Sequence, residues 1–143
     1  MLAWRSTYAQ NLLDRNVTYI TDFMHSVRAV PNGEKEGKDN ERYLEFQYPP
    51  GTPGGKAIAR YYFKNKDSCY KCEYIYNDMK FMDVLYDVFA SDTSLRKLES
   101  LSLWLNRAKR YQIALSRIPR TPTFYLAYTK VSEYGLKKLW AGY

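Results

Sequence analysis

Seven consecutive residues, Pro49-Pro50-Gly51-Thr52-Pro53-Gly54-Gly55, contain three prolines and three glycines. Proline lacks the amide donor that helices and ladders need, and glycine loses most entropy when fixed, so no helix or central strand passes through. The chain must end one element here and turn into another. Upstream, Leu44, Phe46 and Tyr48 alternate with polar neighbours from Tyr43 to Tyr48, the period of a half-buried strand. Downstream, Lys56–Lys64 and Cys69–Tyr76 are rich in aromatic and aliphatic residues, with a turn predicted at Asn65-Lys66-Asp67-Ser68. The middle of the chain is therefore expected to be a small antiparallel β-meander.

Helical periods flank it. Leu13, Val17, Ile20, Met24 and Val27 recur at spacings of four and three, which predicts one amphipathic helix from residue 2 to about 30, ending before Pro31-Asn32-Gly33. Glu34 to Arg42 reads as a solvated loop or hairpin tip. After Asp78, the residues Phe81, Val84, Leu85, Val88 and Phe89 share one face of a helix ending near Ser91. Leu95, Leu98, Leu101 and Leu105 suggest a second helix capped by Ser94, and Ala108, Tyr111, Leu115 and Ile118 a third, from about Asn106 to Ile118 and stopped by Pro119. Thr123–Lys130 reads as a strand and Glu133–Trp140 as a closing helix. The expected architecture is α+β: residues 1–78 as helix plus meander, and residues 79–143 as a compact three-helix unit with a strand and a closing helix.

Charge separates these halves. Residues 1–78 carry 11 Lys/Arg against 10 Asp/Glu, and residues 79–143 carry 11 against 5, which is +1 and +6 of a formal +7. The stretch Ser100–Ser132 holds Arg107, Lys109, Arg110, Arg117, Arg120 and Lys130 with no carboxylate at all. Basic residues without acidic neighbours keep an uncancelled positive potential, the footprint of a polyanion binder.

The order of helix (FMDVLYDVFA), helix (SLRKLESL), basic helix (NRAKRYQIALSRI), strand and helix (FYLAYTKVSEYGLKKL) resembles the winged-helix, helix-turn-helix family of DNA-binding domains over residues 81–140. Two features depart from that pattern: no glycine marks the turn before Asn106, and only 12 residues separate Ile118 from Val131. The resemblance implies a transcription regulator that lays the 106–118 helix in the major groove of double-stranded DNA. The residues it nominates are Asn106 as helix cap, Arg107, Lys109, Arg110, Gln112, Ser116 and Arg117 on the outer face, and Arg120, Thr121, Thr123 and Lys130 in the wing. Arg pairs bidentately with guanine and Gln with adenine, whereas Lys and Ser mainly hold phosphates. A homodimer on a two-fold site is the expected assembly. The competing reading is one continuous helix over 94–118 whose basic face is simply solvated; the deciding joint is Leu105–Asn106.

Other chemistry has less support. Fifteen tyrosines allow a protein-interaction or virion-structural module using Tyr61, Tyr62 and Tyr74, or RNA bases stacked on the meander. In this composition the chain resembles small basic proteins of viruses of hot-living archaea. Asp67, Glu73, Asp78 and Lys80 are the candidates for a metal-dependent nuclease, but no compact motif joins them, and no enzymatic activity is expected. Cys69 and Cys72, with His25, are too few for structural zinc. Spacing of three along a strand puts the two thiols on opposite faces, so no disulfide is expected either. No cofactor, metal or membrane association is predicted, and the lack of a signal-peptide core suggests an intracellular protein, in its own cytoplasm or a host's.

Overall fold

A computed structural model describes residues 12–64, 67–98 and 102–141. Asn16 caps helix α1 (Val17–Ser26), its side-chain oxygen accepting the Tyr19 amide at 2.8 Å. Strands β1 (Val30–Glu36), β2 (Arg42–Gln47), β3 (Lys56–Phe63) and β4 (Cys69–Tyr76) form a meander, and helix α2 (Met79–Ser91) comes next. Strands β5 (Arg96–Leu98), β6 (Leu103–Asn106), β7 (Tyr111–Arg117) and β8 (Phe124–Lys130) form a second meander, followed by helix α3 (Glu133–Ala141). All eight strands make one antiparallel sheet in the order β1-β2-β3-β4-β8-β7-β6-β5. The order is a palindrome of two four-strand meanders, each followed by a helix, joined where β4 pairs with β8.

The main core cluster lies on one face of this sheet. Ala59, Tyr61, Phe63, Cys72, Tyr74, Tyr76, Ile113, Leu115, Phe124, Leu126, Tyr128 and Trp104 are buried there with Ile20 and Met24 of α1 and Leu85 and Phe89 of α2. Tyr61 donates to the Met24 sulfur at 3.2 Å, and the Tyr86 and Phe89 rings each lie 5.1 Å from Trp104. Full burial stabilises by about 1.5–3 kcal/mol per large apolar side chain. Because strand side chains alternate, Glu45, Arg60, Tyr62, Glu73, Gln112, Ala114, Ser116, Tyr125, Ala127 and Thr129 point to the opposite face. The edges are guarded: β5 has three residues, and β1 is exposed throughout but carries Pro31, a register shift, and Glu34, Lys35 and Glu36, features that discourage pairing with another chain.

This sheet corrects the expected helix-rich C-terminal unit. The winged-helix architecture is absent: residues 96–117, read as two helices, form β5, β6 and β7. The Leu105–Asn106 joint lies unbroken within β6, and the hairpin turn follows at 107–110, so no second helix starts there. There is no 106–118 helix to enter a groove. The N-terminal helix is also shorter than expected. Asp14 has a left-handed backbone (φ 69) and α1 starts at Val17; the part of that expectation over residues 2–11 lies outside the described residues. Pro31-Asn32-Gly33, expected to be a breaker, sits inside β1, where the irregular register absorbs it. The β2–β4 meander, α2, β8 and α3 stand where the pattern put them. No helix among the described residues is long and apolar enough to cross a membrane.

Candidate nucleic-acid interface

The nominated basic residues are divided between the two ends of one hairpin system. Arg107, Lys109 and Arg110 occupy the exposed β6–β7 turn, and Lys130 ends β8 beside it, paired across to Tyr111. Lys130 is held by Asp14 at 2.8 Å. Arg117 ends β7, and Arg120 is exposed in the β7–β8 loop at the opposite end. Seven strand residues at about 3.3 Å each separate the ends by about 23 Å.

Three of the nominated residues shape loops instead. Asn106 is 3 % exposed; its amide oxygen accepts the Lys109 N–H at 2.8 Å and its Nδ2 reaches Tyr111 and Ser94 hydroxyls at 3.4 Å. It closes the hairpin turn, and no helix starts there to be capped. The Thr121 hydroxyl donates to the Ile118 carbonyl at 2.9 Å and accepts the Thr123 amide at 3.2 Å, while the Thr123 hydroxyl donates to Asn77 at 3.0 Å.

Between the two basic ends lies a floor on the face turned away from α1 and α2. Gln112, Ala114 and Ser116 of β7 stand beside Thr129, Ala127 and Tyr125 of β8 in register. All are half-buried except Ser116, which is exposed. Ala114 faces Ala127, so the middle of the floor is low; neutral polar side chains flank it along the strands, and Glu73 and Leu103 border it across the sheet. Among the described residues of 102–132 there is no carboxylate. Sequence reasoning nominated Gln112 and Ser116 but missed Ala114, Tyr125, Ala127 and Thr129; the period-two alternation of Tyr111–Arg117 was the signal for the first and that of Phe124–Lys130 for the other three.

The other half of the same face neutralises itself. Glu45, Arg60 and Glu73 are cross-strand neighbours in the row that continues into Ala127 and Ala114. Arg60 contacts Glu45 at 2.9 Å and Glu73 at 3.5 Å, and the Tyr62 hydroxyl donates to Glu73 at 2.9 Å. Asn32 donates to Glu45 at 3.2 Å, and Lys71 lies 4.0 Å from Glu73 and 4.9 Å from the Tyr62 ring. Burial, then the Glu73 charge, push the Tyr62 phenol above its ordinary value. These charges are engaged with one another and leave little field for a polyanion.

Backbone conformation adds a second mark. Arg110 (φ 55) and Arg120 (φ 66) sit in the left-handed region, one in each loop of the acid-free hairpin system. A side chain with a Cβ is strained there by roughly 1–2 kcal/mol, and Gly or Asn is the usual occupant. The chain places arginine at both positions.

The remaining candidates separate. Tyr61 and Tyr74 are core residues, their hydroxyls 3.2 Å apart, and are not available as an interface. Glu73 belongs to the Arg60 network and Asp78 caps α2 through the Lys80 amide at 3.1 Å, so the nuclease set is not assembled. No group of three metal-ligating side chains exists among the described residues. Comparison with protein-family models, curated proteins and solved structures finds no match.

Proposed function

We propose that this protein binds double-stranded DNA in a regulatory role, using the β6–β7–β8 hairpin system as its reading surface. The observation that carries the proposal is the placement of strained arginines, Arg110 and Arg120, at the two tips of hairpins that carry no carboxylate of their own. Of the six non-glycine residues with positive φ among the described residues, these two lie on the acid-free hairpins, and strain of this kind clusters at functional sites. In this reading Lys109 and Arg110 hold one phosphate backbone, Arg117 and Arg120 hold the other, and the Ala114–Ala127 floor lets the strands approach a groove. Gln112, Ser116 and Thr129 can then meet base edges, Gln112 pairing with adenine. The span of about 23 Å between tips suits the two backbones of one duplex. A single strand fits less well, because stacking needs successive exposed aromatic rings and Tyr125 is the one aromatic side chain on the floor. Two copies on a two-fold site would double the surface.

Fluorescence anisotropy with labelled duplex DNA, single-stranded DNA and duplex RNA of matched length tests this. Duplex DNA should bind best and weaken steeply between about 50 and 200 mM salt, by about 10²-fold or more for four or more phosphate contacts, as counterions are released. Equal, salt-insensitive affinity for all three, or no binding at about 50 mM salt, would remove the reading.

A further inference from the structure

We infer that Cys69 and Cys72 are a redox modification site, a dithiol that a small peroxide converts into a disulfide within β4. Three residues apart on a regular strand, the two thiols would face opposite ways. The ladder shows why they do not. Tyr62 pairs with Lys71, but Phe63 pairs with Cys69, so Tyr70 is an extra residue in a β-bulge. The bulge restores Cys69 to the face of Cys72: their partners Phe63 and Tyr61 are both core residues, two apart on β3. Same-face neighbours on a strand have Cα atoms about 6.6 Å apart, inside the range of about 4.4–6.8 Å that a disulfide spans. The sulfurs are 3.8 Å apart, and both side chains are reduced and fully buried.

Cys69 is the first residue of β4, so opening of the strand end uncovers it before Cys72. Its thiolate attacks one peroxide oxygen, the O–O bond breaks, and sulfenic acid and water form. The Cys72 sulfur then attacks the Cys69 sulfur; the S–O bond breaks, and hydroxide leaves with the thiol proton as water. In total two thiols and one hydrogen peroxide give one disulfide and two waters. Burial holds the Cys72 thiol above its ordinary pKa, which disfavours it as the attacking thiolate. The bond would fix the irregular point of β4, where Cys69 exchanges backbone hydrogen bonds with Asp14 and Arg15 at 2.8 and 2.9 Å.

The test treats the native full chain with hydrogen peroxide, quenches it, unfolds it with iodoacetamide and measures intact mass. Untreated protein should take two alkyl groups. Treated protein should take none, weigh two hydrogens less, and regain both sites after dithiothreitol. Cys72→Ala should lose the disulfide and leave a Cys69 sulfenic acid that dimedone captures. Two alkylatable thiols after peroxide treatment, or disulfides that join separate chains, would overturn the inference. Hydrogen exchange on the wild-type chain is a second readout needing no substitution: oxidation should slow exchange of the Asp14 and Cys69 amides, and unchanged exchange with a mass loss would count against the bulge as the site.

Discussion

Lys56 shows how far one residue's surroundings can turn its ordinary chemistry. Its ammonium lies 4.6 Å from the Tyr74 ring centre, 5.0 Å from Tyr48 and 5.7 Å from Tyr76. Aromatic faces attract the cation, but they replace less hydration than burial removes. Burial lowers the pKa from 10.5 to about 8. Between those values the unfolded chain binds a proton that the folded one does not, so stability rises with pH across that window and the penalty is complete below about pH 8. The gap corresponds to about 3 kcal/mol as an upper figure. Above about pH 10 the buried tyrosines reverse the slope: their folded pKa values are raised, so their contribution is lost as the unfolded phenols ionise. Lys56→Met keeps the stem and removes the charge. Chemical denaturation should find it more stable than wild type by about 1–3 kcal/mol at about pH 7, with the difference shrinking towards about pH 10. A parallel offset at all pH values would show that Lys56 does not titrate in this window.

At the scale of elements, the acid-free hairpins set stability against function. Replacing Arg110 or Arg120 by Gly removes roughly 1–2 kcal/mol of left-handed strain and costs about 0.5–1 kcal/mol of backbone entropy. Each change should leave melting temperature unchanged or raise it by about 2–4 °C, while duplex affinity falls severalfold. Arg28, at φ 64 after α1, is the control: Arg28→Gly should share the stability gain and leave affinity alone. Stability gained with affinity intact at Arg110 and Arg120 would show that those arginines serve no ligand. Such left-handed positions are invisible in sequence when Gly and Asn are not there to mark them. The β2–β4 meander and α2 were legible because their periods are unmixed. Strand β7 was not, because Tyr111 and Leu115 are four apart, which suits a helix face and a strand face equally. Ile113 was the discriminating residue: a helix would turn it away from both, and only a strand buries all three. The leucines at 95, 98, 101 and 105 misled in the same way, since Leu98 and Leu105 are buried outside the main core cluster, on the strand face opposite Trp104. Of the candidate site, the charge was readable and its division between two hairpin ends was not.

Across the whole molecule, a palindromic sheet carries an asymmetric charge. The β1–β4 half sets Arg60 and Lys71 against Glu45 and Glu73, whereas the β6–β8 hairpins keep Lys109 and Arg110 about 23 Å from Arg117 and Arg120 with no carboxylate of their own between them. If both ends grip one duplex, they are independent contacts, because groups separated by more than about 10 Å with no shared partner contribute additively. Reversing Lys109 and Arg110 to Glu should weaken duplex binding by about tenfold or more, and Arg117 with Arg120 should do likewise. The four-residue variant should lose the product of the two factors. Each cation changed to Ala should also reduce the slope of log affinity against log salt by about one. Arg60→Gln, set among carboxylates, should lower stability and leave that slope unchanged. Anisotropy titrations at several salt concentrations read all of these together. Loss confined to one end would reduce the surface to a single hairpin tip, and a slope that moves with Arg60 would transfer the interface to the half of the sheet that is now assigned to structure alone.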